Sequence, residues 1–381
     1  MQTFYLDHAA TSPVHPEVIE CMSDAMARVY GNPSSIHTAG RFARKVLDEA
    51  RKVLADSIGA KDTEIILTSG GTEADNTAIF GVARALKSKG KHIITTSVEH
   101  HAVLHTCEQL EKEGYEVTYL PVDETGRIAV ESVKNALRDD TILVSIMYGN
   151  NEVGTIQPIK EIGELLKDHP AVFHTDAVQA YGLEKIDVNE LHVDLLSVSS
   201  HKINGPKGIG FLYQREKTPL FATFYGGSQE RKRRAGTENV HAAVGFAKAV
   251  EIAQREMEKR RQTYLRFREA FLDVLNREQI AYKVNGHKDH FLKHILNISF
   301  PGMDVESFLV NLDMDGVYAS SGSACTAGSI DPSHVLVAMY GKGAPELRNS
   351  IRFSFGLGLE EEDIRQAAER TAKIVKRMTN L

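Results

Sequence analysis

Five short stretches of this chain place reactive side chains just beyond an apolar, strand-like run. In "DLLSV" (194–198), followed by "SSHKINGPKG", His201 and Lys202 come where the strand emerges. A lysine there is either a solvated strand end or a positioned amine. The run "EIILT" (64–68) leads into "SGGTEADN". Gly70 and Gly71 allow a tight turn, and the helix that follows offers free N–H groups and its dipole to an anion. The same stretch also suits a plain strand-to-helix turn, and it has neither the Walker nor the dinucleotide glycine spacing. "HIITT" (92–96) precedes His100 and His101, and "TILVSIM" (141–147) precedes Asn150 and Asn151. "AVFHT" (171–175) precedes Asp176 and, a turn later, Gln179. Asp176 is either a helix cap or a buried carboxylate, and a buried carboxylate needs a partner.

Singly, each stretch has a bland alternative. Together they offer an anion cradle, a histidine, an asparagine, a carboxylate and a lysine, all beyond strand ends. That set suits pyridoxal phosphate. The cofactor needs a lysine for a Schiff base and a carboxylate that keeps its pyridine nitrogen protonated. It also needs a phosphate cradle and, often, a flat group over the ring. Cys325 adds a thiol in "ASSGSACTAGS" (319–329), whose small residues and glycines favour a mobile loop. Only a thiolate is nucleophilic, so such a residue needs a group that removes its proton.

The elements that position these residues alternate. Apolar runs at 64–68, 92–96, 116–120, 141–147, 171–175, 194–198 and 208–213 read as strands, with helical patterns between most of them. Phe42, Val46, Ala50, Val53, Leu54 and Ile58 keep helical spacing ahead of Gly59, a C-cap. Residues 72–90 read as a helix with Thr72 as N-cap, Asp75 three later as its capping partner, and Gly90 at the end. The pattern predicts an α/β fold with a mostly parallel sheet covered by helices, and ligands at the carboxyl ends of its strands. A long helix from about 239 to 275, charged in its middle, leads toward a smaller C-terminal domain.

The chain has 381 residues, a net charge of −6 and a pI of about 6.3, with hydrophobic residues at 42%. This is an ordinary globular composition, and the acidic balance disfavours a dedicated nucleic-acid binder. The basic run Arg231–Arg234, "RKRR", reads as a charged loop near a phosphate or a subunit contact. Cys21, Cys107 and Cys325 lie far apart with no CxxC, which signals neither zinc nor disulfides. Cys21 and Cys107 read as helix-packing thiols. With no secretory pattern and no apolar run of about 18 residues, the expectation is a cytoplasmic protein without a metal, membrane or direct nucleic-acid role.

Nearly end to end, the chain resembles the cysteine desulfurases of the NifS/IscS type, within the fold-type I pyridoxal-phosphate enzymes. The resemblance rests on "YLDHAAT" (5–11), "GNPSSIH" (31–37), "TSGGTEADN", "VEHHAV", "NNEVG", "HTDAVQ", "SSHKINGPKG", "RRAGTEN" (233–239), "SSGSACTAG" (320–328) and "IRFSFG" (351–356). Asn204 departs from it, where an aromatic residue is expected. The resemblance implies a large cofactor-binding domain over 16–259. It implies a smaller α+β domain from 1–15 and 260–381 that carries Cys325 and Arg352. Lys202 is then the covalent anchor, Asp176 the partner of the ring nitrogen and Gln179 that of the ring hydroxyl. His100 lies over the ring and moves protons. Gly71, Thr72, Ser199 and His201 hold the phosphate, and Thr237 reaches the phosphate of a neighbouring subunit in a homodimer with shared sites. Asn151 and Arg352 bind the substrate carboxylate.

The implied reaction converts L-cysteine to L-alanine. Its sulfur passes to Cys325 as a persulfide, and then to an acceptor protein of iron–sulfur assembly or tRNA thiolation. A selenocysteine lyase, or another C–S lyase without persulfide relay, uses the same cofactor machinery. A cofactor-free cysteine hydrolase leaves Lys202 and Asp176 unexplained, and a non-catalytic scaffold on the same fold predicts that the lysine or the cysteine is missing, whereas Lys202 and Cys325 are both present.

Overall fold

The computed structural model describes residues 2–322 and 332–379. Each of the seven apolar runs forms a strand, with ends shifted by at most two residues. Together they make one sheet in the spatial order Ile65–Thr68, Gly210–Gln214, Leu195–Ser199, Val172–Asp176, Thr141–Ser145, His92–Thr96, Glu116–Leu120. Pairing is parallel from Leu195–Ser199 through Glu116–Leu120. Gly210–Gln214 is antiparallel to both of its neighbours. The connection 200–209 is shorter than the crossover of about a dozen residues that a parallel return needs.

Continuous apolar runs arise because both faces of the sheet are covered. Ile66, Ile93, Leu143, Leu195 and Leu212 pack under the helices Gly71–Ala85 and His101–Lys112. Their neighbours Ile65, Leu67, Ile94, Val144, Leu196 and Phe211 point the other way, to the helices Thr38–Asp56 and Ile159–Leu166 and the start of Val240–Arg277. That last helix is one rod of 38 residues. Its first part joins this core, and Tyr264–Leu275 joins a second core with Phe300, Phe308, Phe353 and Phe355. No residue of 254–263 is buried, so the charged middle of the rod is solvated. The second core covers a three-stranded antiparallel sheet, Ser350–Ser354, Ile295–Ser299 and Lys283–Asn285. No described helix is long and apolar enough to cross a membrane.

Local chemistry explains several boundaries. Gly59 takes φ +70°, and Ala60 N–H reaches back to Ala55 O at 3.0 Å, closing Thr38–Asp56. The helix expected from Thr72 starts one residue earlier, with Gly70 as its N-cap. Glu73 serves that turn by accepting the Ser69 N–H at 2.8 Å. The same helix stops at Ala85, ahead of Gly90. Asn204 sits at φ +67°, a conformation asparagine tolerates better than an aromatic residue does. Its side chain donates to Pro13 O at 3.0 Å and accepts from Arg260 at 3.2 Å. Cys107 is buried in helix packing, and burial pushes its thiol up.

Three consecutive non-glycine residues, Glu230, Arg231 and Lys232, hold positive φ angles of 46°, 58° and 68°. Such backbone persists only where its surroundings over-determine it. Here the Glu230 carboxylate is buried, takes both Arg51 guanidinium nitrogens at 2.7 Å and accepts the Leu67 N–H at 3.0 Å. Glu230→Ala leaves Arg51 as an uncompensated buried charge, and its expected loss of folding stability is about 3–5 kcal/mol. A urea titration against the unsubstituted protein measures it, and a loss below about 1 kcal/mol contradicts this account.

Candidate active site

The carboxyl ends of five strands open into one cavity of about 440 Å³. Gly71 and Thr72 follow Ile65–Thr68, and His100 follows His92–Thr96. Met147, Gly149 and Asn151 follow Thr141–Ser145. Asp176 ends its own strand, with Gln179 beyond it, and Ser199, His201 and Lys202 come from the next. Gly322 and Arg352 enter from the C-terminal part of the chain, and Ala9 and Ala10 from its start.

The rim of the anion cradle is backbone. Gly70 has φ +152°, and a Cβ on Gly71 would lie 2.8 Å from Val178 Cγ2, so the helix terminus approaches only as glycine. Ser199 Oγ stands 3.7 Å from where a Gly70 Cβ would be, which puts a hydroxyl beside the unpaired first turn. Asp176 accepts the Val178 N–H at 2.9 Å, and Gln179 donates to Ala9 O at 2.9 Å. Gln179 Oε1 meets His294 Nε2 at 3.2 Å.

The segment Tyr5–Ser12 fastens the site together. Lys202 Nζ donates to Ala9 O at 2.5 Å and Ala10 O at 2.7 Å. Thr11 Oγ1 lies 3.1 Å from His201 Nδ1, and Ser12 N–H donates to His201 O at 3.2 Å. Asp7 Oδ1 accepts from Arg352 Nη2 at 2.9 Å, while Arg352 Nη1 donates to Asn151 O at 2.8 Å. Arg352 is 2% exposed, and this cross-bracing aims its planar fork.

Burial dominates the electrostatics. His100 falls to about 4, first through burial and then through the charge of Lys202 and neighbouring histidines. Its Nδ1 accepts the Ala102 N–H at 3.1 Å, which leaves the neutral ring's proton on Nε2. His201 also falls to about 4, through burial and then Lys202 and Lys207. Burial raises Asp176, opposed by the Val178 N–H and Lys202.

Among the described residues the cavity gathers every expected site residue except Thr237. Thr237 is exposed and lines a separate hollow with Ser69 and Arg234. Cys325 lies outside the described residues. The structure adds Asp75, buried at the cavity wall one helical turn after Gly71, which burial and then Asp176 hold well above the usual carboxylate range. An i, i+4 step from Gly71 marks it once the helix is started there.

Residues 4–366 match the family described as Aminotransferase class-V. The chain belongs to the class-V aminotransferases. Among its relatives, a Bacillus subtilis (strain 168) protein bearing the name IscS 1 is 58% identical over 379 residues, with 100% of each chain covered. The cysteine desulfurase IscS of Methanosarcina thermophila is 49% identical, covering 99% of this chain and 93% of its own. A solved structure titled NifS-like protein superposes with a TM-score of 0.92 at 33% identity, covering 99% of this class-V chain and 100% of its own. Another, titled SspA in complex with cysteine, gives a TM-score of 0.81 at 36% identity over 93% and 99%.

Five histidines held neutral by full or partial burial set a pH dependence. His8, His100 and His201 titrate near 4 and His174 and His294 near 3, so the unfolded chain binds protons first as pH falls below about 6.5. Stability contributed by these groups is present above about 6.5 and is lost toward pH 4. Glu99, raised to about 8 by burial, Asp176, raised to about 6, and Asp75, held well above the usual carboxylate range, act oppositely and weaken the fold as pH rises, but the five histidines outnumber them. The urea midpoint is therefore expected to drop between pH 6.5 and 4.5, and a flat or rising midpoint there refutes the assignment.

Proposed function

We propose that this protein is a pyridoxal-phosphate-dependent cysteine desulfurase. It converts L-cysteine to L-alanine and passes the sulfur to Cys325 as a persulfide, then to an acceptor protein of iron–sulfur assembly or tRNA thiolation. The observation that carries this reading is the convergence of the Lys202 amine, the Asp176 carboxylate, a glycine-lined helix terminus and the Arg352 guanidinium in one cavity.

The donor set fits the cofactor. Gly71, Thr72, Ser199 and His201 would hold its phosphate, since the helix terminus, a hydroxyl and an imidazole converge there. A Cβ at Gly71 would fill that cradle. Asp176 would pair with the ring nitrogen, and Gln179, whose Oε1 faces His294, has amide N–H left for the ring hydroxyl. Lys202 would be the covalent anchor. When bound, the cofactor supplies an electron sink that eases bond breaking beside the substrate's amino-bearing carbon.

The chain's own residues do the rest. Arg352 and Asn151 take the substrate carboxylate, with the fork pre-aimed by Asp7. Lys202 Nζ, when not bonded elsewhere, docks on the carbonyls of Ala9 and Ala10. His100 stays neutral at pH 7 with its proton on Nε2, so it donates first and takes a proton back at the same atom. The Cys325 thiolate takes the substrate sulfur, and the carbon it leaves gains the thiol proton as alanine. No oxidant or reductant is consumed. The exposure of Thr237, outside its own chain's cavity, supports a homodimer in which it serves the neighbouring site.

The purified protein is expected to show a visible cofactor band that changes on adding L-cysteine, with Lys202→Ala unresponsive. Cys325→Ala should lose at least about 100-fold in alanine formation from cysteine; full activity in that variant would favour a lyase without relay, and comparison with selenocysteine separates the selenocysteine lyase. Arg352→Lys removes bidentate carboxylate binding and should raise the KM for cysteine about tenfold or more, with cofactor content unchanged.

A further inference from the structure

The cradle contains an electrostatic conflict. Glu73 lies in the first turn of Gly71–Ala85, beside the residues that would hold a phosphate. Its side chain is 6% exposed. A carboxylate suits a helix N-terminus by itself, but it repels a second anion at the same end. The structure pairs it with Arg234. Arg234 Nε donates to Glu73 Oε1 at 2.8 Å, and Nη2 donates to Glu73 Oε2 at 3.2 Å. Glu73 Oε2 also accepts the Ser69 N–H at 2.8 Å, so it shapes the turn that presents Gly70 and Gly71.

Arg234 is itself held from behind. The left-handed turn Glu230–Lys232, fixed by the buried pair with Arg51, leads directly into Arg233 and Arg234. Arg233 Nη1 donates to Gln214 at 3.1 Å, and Arg234 stacks on Phe224 with its guanidinium carbon 5.2 Å from the ring centre. Two of the four cations of "RKRR" are therefore committed inside the molecule.

We propose that Arg234 is a positioning residue for the anion cradle: it neutralises and orients Glu73, so that Glu73 shapes the Ser69–Gly71 turn without repelling the phosphate that the turn receives. Arg234 does not line the cavity and touches no reacting group. The Glu230–Arg51 pair serves the same end one step removed, by fixing the backbone that delivers Arg234.

This inference rests on the phosphate reading of the cradle, and the test separates the two. Protein stripped of cofactor is titrated with pyridoxal phosphate and, in parallel, with pyridoxal, which lacks the phosphate. Arg234→Gln leaves Glu73 charged and should weaken pyridoxal phosphate binding about tenfold or more, with pyridoxal binding unchanged within about twofold. Glu73→Gln with Arg234→Gln removes the repulsion while keeping an acceptor for Ser69, and should return affinity to within about threefold of the unsubstituted protein. Unchanged phosphate-cofactor affinity in Arg234→Gln overturns the proposal, as does a double variant no better than the single one. If the unsubstituted protein binds pyridoxal as tightly as pyridoxal phosphate, the cradle reading itself fails, and the brace with it.

Discussion

The hydrogen bonds from Lys202 to the carbonyls of Ala9 and Ala10, with the ion pair of Arg352 and Asp7, tie three distant parts of the chain around one cavity. The large sheet supplies Lys202, the small sheet supplies Arg352, and the opening segment joins them. Each pair alone is modest. Together they orient an amine and a guanidinium toward one cavity, and in a catalytic arrangement a misplacement of about 1 Å is expensive.

Polar groups are buried around this cavity, and the fold offsets their desolvation by controlling charge. Histidines that would gain protons in water below about pH 6.5 stay neutral to about pH 4, and the carboxyls of Asp75, Asp176 and Glu99 are pushed up by burial. Ser145 and Ser197 clasp His174 at 2.8 and 3.0 Å, and Thr96 donates to Glu99 at 2.7 Å. In a region of low effective dielectric, each remaining full charge acts strongly on whatever enters.

The sheet was legible because its strands are buried on both faces and read as unbroken apolar runs, and the strand-end rule then pointed to the ligand edge. Lys202, Asp176 and His100 were legible as neighbours because each is a reactive side chain just beyond a strand end, and the cavity brings them together. Ala9 and Ala10 were not, since they contribute only carbonyls and any residue has those. Asp75 was read as the capping partner of Thr72, and only the actual helix start, with Gly70 as N-cap, puts it on the cavity wall. Glu230 and Arg51 were hidden for another reason: their partnership spans 179 positions, and no local pattern announces it.

Sequence separation at the site has a temporal side. Asp7 and Arg352 stand 345 positions apart, and Ala9 N–H is held by Ser354 Oγ at 2.8 Å. At about 5–20 residues per second, a ribosome makes these partners roughly 20 to 70 s apart. The segment Tyr5–Ser12 is made long before its place against Arg352 and Ser354, on the strand Ser350–Ser354, exists. A nascent chain can assemble the seven-stranded sheet, all of which lies before residue 215, while the amine and guanidinium are still unaligned. The cavity's cross-bracing is thus completed only once the strand Ser350–Ser354 has been made.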